Sequence, residues 1–140
     1  MHRFRISLIC AGLTLAWVLL MYTSTASGEG ESPADAFAGI WHLKLVPDSD
    51  TKRDGAKEFD EAIMFEDGQL MAENFACYGF TPGEYTIPED QPSKFSAAME
   101  SNSKGKLDWS GVVQINKLTG QLIWTKKDGK VWKFTYTGRK

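Results

Sequence analysis

Beyond residue 26 the chain has one histidine, His42, and one cysteine, Cys77, the side chains whose types suit nucleophilic or metal chemistry. A catalytic triad would use His42 as its base and Cys77 or a serine as its nucleophile, with a third group orienting the base. No nucleophile-elbow or Cys–His signature surrounds any of them, and one His with one Cys makes a poor metal site. Asp48, Asp50 and Asp54 begin like a calcium loop. Lys52 and Arg53 then stand where such a loop needs an acidic ligand and its glycine, so the match fails. Glu58, Asp60, Glu61, Glu66, Asp67 and Glu73 contain enough carboxyls for the acid–base pair of glycoside hydrolysis. With no motif around them they read as the polar face of a hairpin. The sequence assigns no catalytic residue, no metal and no cofactor, and the chain reads as a non-enzyme.

Binding chemistry is better represented. Trp41, Phe95, Trp109, Trp124, Trp132 and Tyr136 could line a cavity for a small apolar ligand, since such sites are mostly apolar with a few polar anchors. They could equally fill the space themselves. Tyr78 and Phe80 lie in a Gly- and Pro-containing stretch, where they would stand at the mouth of such a cavity. Lys126, Lys127, Lys130, Lys133, Arg139 and Lys140 interleave with Trp124, Trp132 and Tyr136, a pattern similar to a stacking platform for single-stranded nucleic acid. That use requires a basic domain, and the formal net charge here is −2. Nucleic acid is excluded on this ground; an anionic glycan, a lipid headgroup or an acidic protein remains as a surface partner.

The elements that must position these residues are strands. In Lys130–Thr137, Trp132, Phe134 and Tyr136 fall on one face while Val131, Lys133, Thr135 and Thr137 fall on the other, the period of two of a half-buried strand. Asp128-Gly129 supplies the positive φ angles of a two-residue hairpin turn back to Gly120–Lys127. That strand joins Leu107–Asn116 through Lys117-Leu118-Thr119-Gly120, with Gly120 read as the left-handed residue of the turn. Earlier strands are expected at Phe37–Val46, with Phe37, Gly39, Trp41, Leu43 and Leu45 on one face, and at Glu58–Glu66 and Gln69–Phe75 around Asp67-Gly68. Glu84–Ile87 and Lys94–Ser101 complete the set. Pro47–Lys57 reads as a polar loop, and no segment beyond the N-terminus shows helical spacing. Eight sequential antiparallel strands close naturally as an up-and-down barrel, which removes exposed edges; a two-sheet sandwich is the alternative.

The N-terminus is a targeting segment. His2, Arg3 and Arg5 precede an apolar run, Ile6–Tyr22, and Ser24 and Ala26 occupy the positions a signal peptidase reads. The expected organisation is a signal peptide over residues 1–26, a linker over 27–34 and one barrel domain over 35–140, exported to the periplasm or outside the cell. A membrane enters only if that segment stays uncleaved. Cys10 leaves with it, and Cys77 is then expected as a lone thiol packed as a small hydrophobe. Sixteen of the 18 acids precede residue 101 and nine bases lie at Lys104 or beyond. Such segregation predicts attraction between early and late strands where the barrel closes.

Gly39-Ile40-Trp41 on the first strand, behind an exported N-terminus and ahead of an all-β meander, resembles the Gly-x-Trp opening of calycins, the superfamily of lipocalins, fatty-acid-binding proteins and avidins. The resemblance extends over Ala34–Lys140, which looks like small exported bacterial lipocalin-like barrels. It implies that Gly39 and Trp41 close the barrel floor, with Arg139 packed over Trp41 and Lys133 as a second candidate. It also implies a binding protein for a small apolar ligand or an envelope protein. An interaction or inhibitor-type module, with a filled barrel and working loops at Pro47–Lys57 and Tyr78–Gly83, is the other reading.

Overall fold

A computed structural model describes residues 32–140, so the expected signal peptide lies outside the described residues. Eight strands follow in order: β1 (Gly39–Pro47), β2 (Phe59–Glu66), β3 (Gln69–Ala72), β4 (Gly83–Thr86), β5 (Lys94–Ser101), β6 (Gly105–Gln114), β7 (Lys117–Thr125) and β8 (Val131–Arg139). Each pairs antiparallel with its sequence neighbours, and β1 pairs with β8, which closes the barrel. The architecture is therefore the all-β up-and-down barrel that the alternation predicts, and the sandwich is excluded.

The physical reason is visible along β8, where Phe134 and Tyr136 are buried and Lys133, Thr135 and Thr137 are exposed. β1 and β5 alternate in the same way. The inward side chains form a single core: Phe37, Trp41, Leu45, Leu70, Leu107, Leu118 and Leu122 are each 0% exposed. Pairing is extensive from β5 through β8 but falls to two residue pairs each for β3–β4 and β4–β5. The short strand β4 is thus the thin part of the wall.

Three short helices correct the expectation of a helix-free barrel. Helix α1 (Pro33–Phe37) precedes β1, so Phe37 belongs to a helix and not to the first strand. Helix α2 (Ser49–Arg53) lies within the segment read as a polar loop, and its N-cap is Asp48, whose carboxylate accepts the Thr51 N–H at 2.8 Å. Helix α3 (Glu73–Ala76) replaces the second half of the expected strand Gln69–Phe75. All three have five residues or fewer, too short for any apolar period to register in sequence.

The β6–β7 turn is Ile115-Asn116, with Gln114 opposite Lys117, and Ile115 takes φ +56°. Gly120 therefore sits inside β7, opposite Gly111, and not in a turn. At the β1–β8 closure the facing pairs are His42 with Arg139 and Lys44 with Thr137, so no charge attraction joins that seam. Among the described residues the expected early–late attraction gathers around α2, with Lys130 Nζ on Asp54 at 3.1 Å, Lys126 near Asp54 and Lys133 near Asp48; at the β1–β8 seam itself closure comes from ladder hydrogen bonds. Cys77 follows α3 half-buried, and no cysteine among the described residues is free, against the expectation of a lone thiol.

The Gly-x-Trp opening has a local cause. Gly39 takes φ +106°, which lets the chain leave α1 and enter β1, and Trp41 Nε1 then donates to the Phe37 carbonyl at 2.8 Å. A Cβ at residue 39 would meet only the Lys140 side chain, at 3.8 Å. Gly39→Ala should therefore cost about 1–3 kcal/mol through backbone strain alone, read as a lower urea midpoint with an unchanged slope.

Candidate functional site

The sequence-assigned aromatics divide between the two ends of the barrel. At one end, where β1 starts and β8 finishes, Phe37 packs on Phe65 and Phe95 with ring centroids 5.4 Å away in each case. Trp41 is fully buried, and the cation over its ring is Lys140, with Nζ 5.0 Å from the centroid. This corrects the expectation of Arg139 or Lys133 there: both lie on exposed positions of β8, one step out of phase with its buried residues. Gly39 and Trp41 do stand together at this end, beneath α1.

At the other end Phe75, carried by α3, is the hub. Its ring meets Phe59, Phe80, Trp109 and Trp124 edge-on at 5.5–6.0 Å. Phe80 is 3% exposed and packs on Trp124 at 5.9 Å, so it plugs this end and does not line an open mouth. Tyr78, by contrast, is 46% exposed. Tyr136 packs on Trp109 and donates its hydroxyl to the Ser110 carbonyl at 2.7 Å; burial pushes its phenol well above the ordinary range. Trp109 is 1% exposed, and its indole N–H has no acceptor among the described residues. Of the eight expected ligand-binding residues, Trp41, Phe80, Phe95, Trp109 and Tyr136 thus fill space, while Tyr78, Trp124 and Trp132 reach solvent.

The sequence places Glu61 on the polar face of a hairpin, but the side chain points inward and is 3% exposed. The cause lies in β3, which leaves β2 after the Ile63–Ala72 pair and turns into α3. That departure leaves β2 unpaired on its β3 side, while β1 still holds the other edge, and it exposes the first N–H groups of a helix. The Glu61 carboxylate replaces both losses, accepting Ala62 N–H at 2.9 Å, Asn74 N–H at 2.9 Å and Phe75 N–H at 3.3 Å. Asn74 Nδ2 donates to the Asp60 carbonyl at 2.9 Å and completes the repair. Burial pushes the Glu61 carboxyl up to about 7, against the pull of those three donors. The oxygens are committed to holding α3, and with it Phe75, in the barrel end.

Outside the wall, an open groove of about 620 Å³ crosses β8, β1 and β2 and ends against α3. Lys44, Arg139 and Lys140 give it a basic side, and Asp60 and Glu73 an acidic one. His42 lies in it, exposed as the alternation predicts. The sequence could not gather these residues, because they come from four separated segments and meet only once β8 closes on β1.

No family model matches this chain, and none of the curated proteins matches it. Among solved structures it is similar to the crystal structure of bovine odorant binding protein complexed with its natural ligand. The similarity has a TM-score of 0.44 at 13% identity, over 84% of this chain and 77% of that one.

Proposed function

We propose that the chain is an exported, non-enzymatic binding protein that engages a partner protein through the outside of its barrel. The observation that carries this reading is the packed interior. Inward side chains from every long strand are at or near zero exposure, and the cavity space described above lies on the outer wall. An eight-stranded barrel is just wide enough for side chains to fill it or for one small ligand, and here rings take the volume. The groove supplies what an interaction surface needs: a basic strip beside an acidic one, held on rigid strands, suited to a partner segment carrying both charges. Catalysis has weaker support, because the most perturbed carboxylate, Glu61, spends its oxygens on backbone N–H groups.

A second reading, a carrier for a small apolar ligand, draws on Trp109. A buried N–H without an acceptor costs about 1–3 kcal/mol, and an apolar ligand with one oxygen would relieve it by entering beside Phe75 and Tyr136.

Native mass spectrometry of the mature protein, purified gently from its own host, separates the two. A bare mass, alone or with an associated protein, is expected. An added mass of a few hundred daltons that leaves on denaturation overturns the outward reading and gives the ligand's mass. The double variant Lys44→Gln, Arg139→Gln should lose a co-purifying protein while moving the melting temperature little, since both side chains are exposed and the Lys44–Glu58 ion pair at 3.4 Å is a surface one.

A further inference from the structure

The plugged end of the barrel carries a corner that neither reading uses. Trp124 and Trp132, opposite each other on β7 and β8, stand at 81° with centroids 5.8 Å apart. Both rings are locked through their N–H groups, Trp124 to the Lys104 carbonyl at 2.8 Å and Trp132 to the Asp54 carboxylate at 2.6 Å. Phe75 and Phe80 back the Trp124 ring and Phe134 lies beside Trp132. Over these faces sits the ammonium of Lys126, 3.0 Å from the Trp132 centroid and 5.0 Å from that of Trp124.

An ammonium is normally left in water or given a carboxylate. Here Lys130 takes Asp54 directly, and Lys126 lies on the two ring faces with the Asp54 charge favouring it from nearby. Burial against the rings works the other way and lowers the ammonium's pKa. Two fixed indoles with an adjacent carboxylate are the elements that recognise alkylated ammonium ions, whose diffuse charge is cheaply dehydrated. The resident side chain identifies the chemistry the corner accepts.

We propose that the Trp124–Trp132–Asp54 corner is a binding site for a small quaternary ammonium ligand, which Lys126 occupies as an internal stand-in until the ligand displaces it. Lys126 leaves by rotating about its own side chain, which is only half-buried. The tethered amine competes as a high local concentration of cation, so wild-type affinity is weak and rises when the tether is cut.

The experiment titrates the folded protein with tetramethylammonium chloride, and separately with choline chloride, at constant ionic strength set by sodium chloride. Tryptophan fluorescence follows the rings, and saturation transfer from indole protons follows the N-methyl groups. Lys126→Ala should bind either cation about tenfold more tightly than wild type, the value of one ring-face cation contact. Trp132→Leu made in the Lys126→Ala background should abolish binding. Asp54→Asn in that background, which keeps a hydrogen-bond acceptor for the indole, should weaken it severalfold. Equal affinity of wild type and Lys126→Ala, or N-methyl saturation that survives Trp132→Leu, overturns the proposal. A folded Lys126→Ala protein that shows no saturation transfer with either cation does the same.

Discussion

Gly120→Val should cost about 3 kcal/mol or more, a large part of the 5–15 kcal/mol that holds a domain of this size together. Gly120 lies mid-strand, opposite Gly111 on β6 and Tyr136 on β8. A Cβ there would press into the Ser110 carbonyl and come within 2.5 Å of the Tyr136 hydroxyl. Because one neighbour is backbone of a paired strand, neither can step aside without opening the β6–β7 ladder. Urea unfolding should show a sharply lower midpoint for Gly120→Val and an intermediate one for Gly120→Ala. Adding Tyr136→Phe to Gly120→Ala removes the hydroxyl but leaves the Ser110 oxygen, so rescue should be partial. Near-wild-type stability of Gly120→Ala would show that the two glycines do not serve to admit Tyr136.

The second large effect is a pH dependence centred on Glu61. Burial raises its carboxyl from 4.5 to about 7, with the Glu73 charge adding to the rise and the three backbone donors opposing it. Below about pH 4.5 the group is protonated in both folded and unfolded chains and costs nothing. Between 4.5 and 7 the folded chain keeps a proton that the unfolded chain has lost, so stability falls as pH rises. Above 7 the loss is complete, about 3 kcal/mol from the shift. Glu61→Gln keeps an acceptor oxygen for α3 and removes the titration. Its stability relative to wild type should rise between pH 5 and pH 8, measured by urea unfolding at each pH. Parallel profiles would mean that the N–H groups of Ala62, Asn74 and Phe75 outweigh burial and keep the carboxylate ionised. The consequence reaches the barrel end, because Glu61 holds α3 and α3 holds Phe75, the ring on which Phe80, Trp109 and Trp124 converge.

What the sequence determined by itself is the barrel. Alternation along Trp132-Lys133-Phe134-Thr135-Tyr136 is a local consequence of the strand's period of two, and Asp67-Gly68 announces its turn through φ angles of +51° and +76°. At Asp128-Gly129 the hairpin is where the sequence places it, but only Gly129 takes a positive φ, +90°, because the turn is longer than the expected two residues and closes between Lys126 and Lys130. Seven of the eight strands keep most of their expected span for this reason. Only the tertiary structure decided the rest, because each remaining feature depends on what a distant segment places beside it. Gly120 looks like a turn glycine until Tyr136 is laid across it from β8. Glu61 looks like surface until β3 abandons β2 and leaves donors that a carboxylate must satisfy. Asp54 and Trp132 lie 78 residues apart in the chain, and the corner they make with Trp124 exists only because β7, β8 and the segment after α2 meet at one end of a closed sheet. Periodicity reports which face a side chain takes; closure of the barrel decides what that face meets.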